Sequence, residues 1–273
     1  MAKLVFEAGR ADRQYWRDLW AYRELFYFLA WRDILVRYKQ TVIGILWAVM
    51  RPFLTMLVFT LVFERLAKLP AEGTAPYSIM VYAAMLPWQF FSSSLAESSM
   101  SLTGNSNLIC KIYFPRLIVP ASAVITGFVD FLIAAVLMLG LMGWYNWWAD
   151  WRTCTLPAFV ALAFLASAGP GLWLAALNVK YRDFRFILPF IVQFGMYLSP
   201  VGFSSNIVPE KWRLVYSLNP MVGVIDGFRW AILRGETPLH GSSMMVSVLV
   251  IAVLFISGIA YFRRVERTFA DII

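Results

Sequence analysis

Six long apolar runs, separated by short polar segments, make up most of this chain. Each run is close to the roughly 20 residues that an α-helix needs to cross a hydrocarbon layer about 30 Å thick. Of the 273 residues, 60% are hydrophobic and 15% are charged, a balance that a single soluble core of this size does not require. We therefore predict an all-α polytopic membrane protein with six transmembrane helices, at residues 42–63, 77–101, 117–143, 154–177, 186–203 and 243–262.

The basic residues indicate how these spans are oriented. Sixteen of the 24 Lys and Arg residues lie in alternate segments that we place inside, and seven lie in the other three connections. Because cytoplasmic loops carry the excess of Lys and Arg, both termini are expected in the cytoplasm. The net charge of +8 is spread between apolar runs, which argues against nucleic-acid binding. The predicted parts are a cytoplasmic N-terminus (1–41), a transmembrane domain (42–262) and a cytoplasmic tail (263–273).

Two segments have the pattern of helices that lie in the membrane interface. In residues 15–31 apolar side chains recur at helical spacing with charged residues between them, as in an amphipathic interface helix; a surface helix packed on another domain is the alternative. Its apolar side would include Trp16, Trp20 and Phe26. Residues 218–233 are apolar, but they form a short run broken by Pro220 and by charges. This run predicts a re-entrant or interfacial element on the periplasmic side, before the last span.

The sequence offers few groups for catalysis. No metal site is predicted, because the only histidine, His240, has no second ligand at metal-binding spacing. The chain also lacks a P-loop, so ATP hydrolysis of that type would need a partner. A membrane-embedded glycolipid enzyme is an alternative, and its acid or base would be Glu97, Asp130, Asp226 or His240. Cys110 and Cys154 are expected on opposite sides of the membrane, where no disulfide can join them.

Three ionisable residues lie within the predicted spans, where charges are costly and usually face protein or water. Arg51 and Glu97 both fall in the cytoplasmic halves of their spans. We predict an ion pair between them, with contact between Arg51 and a lipid diphosphate as the alternative. Asp130 lies nearer the middle of its span, and no role is assigned to it.

Aromatic residues recur along one side of the fifth span, at Phe186, Phe190, Phe194 and Tyr197. Such a stripe at helical spacing commonly contacts lipid or a neighbouring helix. It could also form an apolar track along which the sugar rings of a polymer slide. Weaker candidates for the same translocation path lie on the first span, at Trp47, Phe53 and Phe59.

Four blocks of sequence, in this order, resemble the ABC-2 class of transporter permeases. They are RDILVRYKQTVIGILWAVMRPFLTMLVFTLVF, KIYFPRLIVPASAVITGFVDF, ALNVKYRDFRFILPF and VPEKWRLVYSLNPMVGVIDGFRWAIL. The chain is most similar to the membrane subunit of bacterial O-antigen and polysaccharide ABC exporters, with teichoic-acid exporters as relatives. The resemblance extends over about residues 20–265.

This resemblance implies a homodimer of six-span permeases that binds two copies of a separate ATPase subunit. ATP and Mg would belong to that partner, and no cofactor is expected in this chain. The substrate would be a lipid-linked glycan, typically on undecaprenyl diphosphate, exported across the bacterial inner membrane. Capsule, teichoic-acid and small-molecule export are the alternatives. A cytoplasmic coupling helix would lie between the second and third spans, with contacts to the ATPase from Asn105, Asn107, Lys111, Tyr113 and Arg116.

Overall fold

The computed structural model describes residues 12–39, 44–68, 73–181 and 183–269, and this part of the chain is helical without β-strands. The predicted all-α class is therefore confirmed. Eleven α-helices are described: α1 Asp12–Ala21, α2 Arg23–Lys39, α3 Gly44–Phe59, α4 Tyr77–Gly104, α5 Ser106–Lys111, α6 Ile118–Trp144, α7 Leu156–Lys180, α8 Phe184–Leu198, α9 Glu210–Tyr216, α10 Pro220–Ile232 and α11 Gly241–Val265.

Shorter turns extend some of these helices. A π-helical segment, Thr60–Leu66, continues α3, and a 3₁₀ turn, Trp151–Thr155, precedes α7. Two further 3₁₀ turns are Ser205–Ile207, before α9, and Glu266–Thr268, after α11. Residues 1–11, 40–43 and 270–273 lie outside the described part, and with them the predicted start of the first span and both chain ends.

Among the described residues, three helical segments are long and apolar enough to cross a membrane: α6, α7 with its preceding 3₁₀ turn, and α11. Their outward surfaces are apolar, with exposed residues such as Val136 and Leu139 on α6 and Leu249 and Ile256 on α11. Exposed apolar surface on this scale marks contact with lipid or with another protein. The chain is thus a membrane protein, and the number of six spans stays a prediction.

The fifth predicted span is shorter than expected. Helix α8 has 15 residues, or about 22 Å at ~1.5 Å per residue, and it ends at Leu198 rather than at residue 203. Ser199 precedes Pro200, and a residue before proline is disfavoured in the helical conformation. The predicted span was longer because the residues after Leu198 include further apolar side chains.

Helix α4 lies at the centre of the fold and contacts α3, α6, α7 and α10. Its serine-rich half packs against glycines of its neighbours. A Cβ atom on Gly127 of α6 would lie 2.4 Å from Ser94 Oγ, and one on Gly171 of α7 would lie 2.8 Å from Ser98 Oγ. Small residues let membrane helices approach closely, so the serines of α4 are explained by helix packing.

Buried apolar side chains form two clusters at opposite ends of α4. The first cluster surrounds the beginning of α4 and includes residues of α10, such as Phe228. The second cluster surrounds the end of α4 and joins α2, α5, α7 and α11; it includes Leu29, Ile109, Phe114, Phe262 and Phe269. We call the end of the fold that holds the first cluster the α10 end, and the end that holds the second cluster the α5 end.

The apolar segment 218–233 forms α10, which is buried among α4, α7 and α11. Asn219 caps this helix by accepting a hydrogen bond from the Met221 amide. Arg229 is fully buried, and it donates hydrogen bonds to the carbonyls of Phe203 (2.7 Å), Val201 (3.0 Å) and Met80 (3.3 Å). The segment thus buries its apolar residues inside the protein, and its predicted re-entrant position relative to the membrane stays a prediction.

The predicted interface helix is divided into α1 and α2 at Tyr22, and α2 continues to Lys39. Phe26 packs on the second cluster together with Leu19 and Leu25. Trp16 and Trp20 are exposed instead, Trp20 at 73%. Helical hydrogen bonds run through the division, from the Tyr22 amide to the Asp18 carbonyl and from the Phe26 amide to the Tyr22 carbonyl. That Trp16, Trp20 and Phe26 share one apolar side in the membrane interface stays a prediction.

Candidate coupling and translocation surfaces

Helix α5 projects from the α5 end of the molecule between α4 and α6. Ile109 and Phe114 anchor it in the second cluster. Asn107 and Lys111 of α5 are exposed, and so is Tyr113, two residues after the end of the helix. A short helix anchored by two apolar residues presents these polar and aromatic side chains in a fixed arrangement, as a docking surface requires. Three of the five residues predicted to contact an ATPase lie on this surface.

The other two residues predicted for coupling face the protein itself. Asn105 Oδ1 accepts a hydrogen bond from Arg32 Nη2 of α2 at 2.8 Å, and its Nδ2 donates to the Ser101 carbonyl at 2.8 Å. Arg116 Nη1 donates to the main-chain carbonyl of Glu266, beyond the end of α11. These two residues therefore fix α5 to α2, α4 and the C-terminal turn.

The ion-pair partner of Glu97 is Arg37 rather than Arg51. Arg37 Nη1 contacts Glu97 of α4, and its Nη2 lies 2.9 Å from Asp130 Oδ2 of α6. The Tyr38 hydroxyl also donates to Asp130 Oδ1. We call these four residues the Arg37 cluster. It joins α2 to both α4 and α6, and it gives Asp130 a structural partner that the sequence did not indicate.

The pair predicted between Arg51 and Glu97 fails because the two residues face different neighbours. Arg51 lies on the exposed side of α3, whereas α2 packs along α6 and brings Arg37 between the two carboxylates. The sequence pattern did not indicate Arg37 as the partner, because the predicted helix ended near residue 31, whereas α2 continues to Lys39. The continuing pattern of α2 could have signalled it, since Arg37 lies eight residues, or about two turns at ~3.6 residues each, after Leu29 of the second cluster.

The aromatic residues predicted for a translocation path divide into an exposed and a packed set. On α8, Phe186, Phe190, Phe194 and Tyr197 are all exposed, and the rings of Phe190 and Phe194 have centroids 4.1 Å apart. Trp47 on α3 is exposed as well.

The remaining two α3 aromatics pack inside the chain. Phe59 is buried, stacked on Phe63 with ring centroids 5.3 Å apart, and both rings would lie within 3 Å of a Cβ on Gly202. Phe53 packs on the first cluster. Within a single chain, Phe59 therefore cannot face a path, whereas the α8 residues and Trp47 are accessible.

The four groups considered for an enzyme do not form one site. Glu97 and Asp130 are held in the Arg37 cluster. Asp226 is buried in α10 on the same helix as Arg229. His240 has its Nε2 atom 3.1 Å from Asn206 Oδ1, near the beginning of α11; burial lowers the pKa of this histidine, and Arg213 lowers it further. Among these four residues, only Glu97 and Asp130 are joined through a shared partner, Arg37.

The chain is similar to known membrane transport proteins over most of its length. Residues 24–233 match the model of the ABC-2 type transporter family. The chain is 28% identical to the O-antigen export system permease protein RfbA of Myxococcus xanthus over 257 residues, which cover 93% of this chain and 97% of that protein. It is 26% identical to RfbA of Klebsiella pneumoniae, covering 89% and 92% of the two chains.

Capsule exporters are similar to the chain as well. The capsule polysaccharide export inner-membrane protein CtrC of Neisseria meningitidis is 25% identical over 246 residues, covering 88% of this chain and 90% of that protein. The polysialic acid transport protein KpsM of Escherichia coli is 22% identical over 241 residues, with 86% and 91% covered. The family match covers most of the chain, including α5 and α10, and the chain therefore belongs to the ABC-2 type transporter family.

Proposed function

We propose that this chain is the permease subunit of an ATP-driven exporter that moves a lipid-linked polysaccharide outward across the bacterial inner membrane. One observation carries the proposal: relatives named as polysaccharide export proteins align with the chain over nearly its whole length and theirs. A permease of this kind uses energy from a separate ABC ATPase. The residues of this chain would bind the ATPase, change conformation and line the passage.

In this proposal the protein has six spans and works as a homodimer with two ATPase subunits. Both termini and α5 face the cytoplasm, and α9 and α10 lie at the periplasmic side. The distribution of Lys and Arg supports this orientation, since the α5 end holds the connection before α6, the residues after α7 and the residues after α11. Cytoplasmic segments of membrane proteins carry such an excess.

The exposed surface of α5 would be the part that the ATPase grips. A ligand shifts a conformational equilibrium only by binding the two conformations with different affinity. The ATPase must therefore contact Asn107, Lys111 and Tyr113 differently with and without ATP. Because Ile109 and Phe114 fix α5 in the second cluster, a displacement of the helix would reach α2, α7 and α11.

The passage would form where α3 and α8 of two protomers face each other. The exposed aromatic stripe of α8, with Trp47 of α3, offers flat apolar rings on which sugar rings can slide without a tight site. Arg51 is exposed on α3 and would attract the diphosphate of the lipid carrier, since guanidinium groups bind phosphate oxygens strongly.

A double substitution at the end of α5 and just after it tests the coupling part of the proposal. Lys111→Ala with Tyr113→Ala should abolish surface glycan while leaving the permease folded, because both side chains are exposed and outside the clusters. Export would be measured as surface polysaccharide, and ATPase binding as co-purification with the tagged permease. Thr103→Ala, an exposed residue that bonds only the Met100 carbonyl, is the matched control. Normal export by the double variant would contradict the proposal.

The polymer itself is proposed to be O-antigen, with capsule as the second candidate favoured by the CtrC and KpsM relatives. Two strains distinguish them, one lacking its O-antigen permease and one lacking its capsule permease, each supplied with this chain and its ATPase. Restored O-antigen alone supports the first candidate, and restored capsule alone supports the second.

A further inference from the structure

The residues that follow α11 form a turn that is packed into the protein. This C-terminal turn consists of Glu266–Thr268 and Phe269. Phe269 is fully buried in the second cluster, with its ring edge-on to Phe262 of α11 at a centroid distance of 5.4 Å. Complete burial of an aromatic residue at this position means that the turn is an integral part of the α5 end.

Glu266 binds two elements that are far apart in sequence. The Tyr15 hydroxyl of α1 donates to Glu266 Oε2 at 2.9 Å, across 251 residues. Arg116, which follows α5, donates to the Glu266 main-chain carbonyl across 150 residues. Burial and the negative charge of Glu266 raise the pKa of Tyr15, so its hydroxyl remains a donor over the physiological pH range.

Two arginine–aromatic contacts strengthen the same junction. The guanidinium carbon of Arg263 lies 4.6 Å from the centroid of the Tyr15 ring, and that of Arg116 lies 6.0 Å from the centroid of the Phe269 ring. Arginine over an aromatic face is an attractive contact. The C-terminal turn therefore joins α1, the connection after α5, and α11, through hydrogen bonds as well as packing.

We propose that the C-terminal turn is the joint that transmits the displacement of α5 to α1 and α11, with Glu266 and Phe269 as positioning residues for transport. Packed protein interiors shift between discrete arrangements instead of deforming smoothly. Elements that share this joint must move together, and elements separated from it need not. The inference rests on the proposed function, because it takes α5 as the helix that an ATPase moves.

The test uses the complete complex of this chain with its ABC ATPase in lipid vesicles. ATP hydrolysis and glycan transfer are both measured, and their ratio is the coupling. Phe269→Ala should lower the glycan transferred per ATP by about tenfold, within the range usual for coupling between two sites. Assembly and the hydrolysis rate should stay near the unmodified values. Phe269→Leu should recover most of the coupling, since it keeps apolar bulk in the cluster.

A second pair of variants tests the hydrogen bond separately from the packing. Tyr15→Phe removes the hydroxyl and keeps the ring beneath Arg263, and Glu266→Gln removes the charge of the acceptor. Each should lower the coupling ratio, and the double variant should be no worse than the more affected single variant, because both changes disrupt one contact. Thr268→Ala, in the same turn but exposed and bonded only to Val265, is the control that should behave normally.

Hydrogen exchange with and without ATP gives a readout that does not depend on glycan. In the unmodified complex ATP should change the exchange of α5, α1 and the end of α11 together, and in Phe269→Ala it should change α5 alone. The inference would be overturned if Phe269→Ala and Tyr15→Phe both kept the normal coupling ratio and if ATP still changed the exchange of α5, α1 and the end of α11 together in both variants. If Phe269→Ala does not assemble, the result for Tyr15→Phe decides. The proposed function would be overturned instead if the unmodified complex transferred no glycan while ATP still changed the exchange of α5, α1 and the end of α11 together.

Discussion

At the scale of single residues, buried and half-buried arginines hold this protein together. Arg229 supplies donors to three main-chain carbonyls at the α10 end, and Arg37 lies between two carboxylates on α4 and α6. Both contacts link segments that are distant in sequence. Isolated charges inside a membrane protein are costly, and here each is matched by oxygens fixed on other helices.

Replacing Arg229 should be among the most destabilising single changes. In Arg229→Met the carbonyls of Val201 and Phe203 lose their donor inside the protein, whereas the Met80 carbonyl lies in α4 and keeps its helical hydrogen bond. Each unsatisfied buried group costs about 1–3 kcal/mol, so we expect a loss of about 2–6 kcal/mol in the free energy of unfolding, seen as a lower thermal midpoint of the detergent-solubilised protein. Lys211→Met, at an exposed position on α9, is the matched control; equal midpoints for the two variants would contradict this role of Arg229.

The Arg37 cluster predicts a specific suppressor. Arg37→Ala leaves Glu97 and Asp130 near each other without their shared cation. It should lower the thermal midpoint of the protein, because two like charges on α4 and α6 lose the cation between them and unmatched charges within a membrane protein are costly. Adding Glu97→Gln should recover part of this loss by removing one of two like charges. Thermal unfolding would measure both variants.

The control for this pair is Arg17→Ala, at an exposed position of α1. A double variant Arg37→Ala/Glu97→Gln that is less stable than Arg37→Ala would show that charge repulsion is not what the arginine relieves.

At the scale of helices, the sequence predicted most elements and misjudged some of their faces. Continuous apolar length identified α6, α7 and α11, because these helices expose much of their surface to lipid or partners and must be apolar all round. The broken apolar run of α10 was also recognised.

The covered face of each helix and the pairing of distant residues could not be predicted from the sequence in the same way. The division of α1 from α2, the burial of Phe59 and the position of Arg37 between two carboxylates all depend on contacts between distant segments. A single sequence gives periodicity along a helix, but it does not say which neighbour covers which face. The residues predicted for coupling illustrate the limit: Asn107, Lys111 and Tyr113 are exposed, whereas Asn105 and Arg116 bond to other parts of the protein.

The crossing of α7 and α11 requires glycine at two positions. A Cβ on Gly258 would lie 2.4 Å from the Gly169 carbonyl oxygen, and one on Gly169 would lie 2.7 Å from the backbone of Phe255. Gly258→Ala should therefore separate the helices and cost about 1–3 kcal/mol. Gly140→Ala on α6 has nothing within 4 Å and should be neutral or stabilising by up to ~1 kcal/mol. Thermal midpoints in lipid nanodiscs would compare them, and similar losses for both would contradict the packing argument.

At the scale of the whole molecule, two ends with different chemistry are joined by apolar helices. The α5 end gathers the basic connections and the C-terminal turn, and the α10 end holds the buried Arg229 network. An exporter needs this asymmetry, because energy enters on one side and the substrate leaves on the other. We therefore expect the chain to have one fixed orientation in the membrane.

The chain's own two cysteines can test that orientation, so no cysteine has to be introduced. Cys110 and Cys154 are both exposed, and the proposed topology puts Cys110 in the cytoplasm and Cys154 in the periplasm. A membrane-impermeant maleimide added to intact spheroplasts should label the Cys110→Ser variant and spare the Cys154→Ser variant. Lysed spheroplasts supply the control, in which both variants should react. The opposite labelling pattern would invert the topology.

The most direct test of the central claim is transport in sealed vesicles of defined content. Vesicles that contain this chain and its ABC ATPase should move a lipid-linked glycan across the bilayer when ATP is supplied, and should stop when either ATP or the ATPase is left out. Transfer at the same rate by this chain alone, without nucleotide, would contradict the account that it is the membrane half of an ATP-driven exporter.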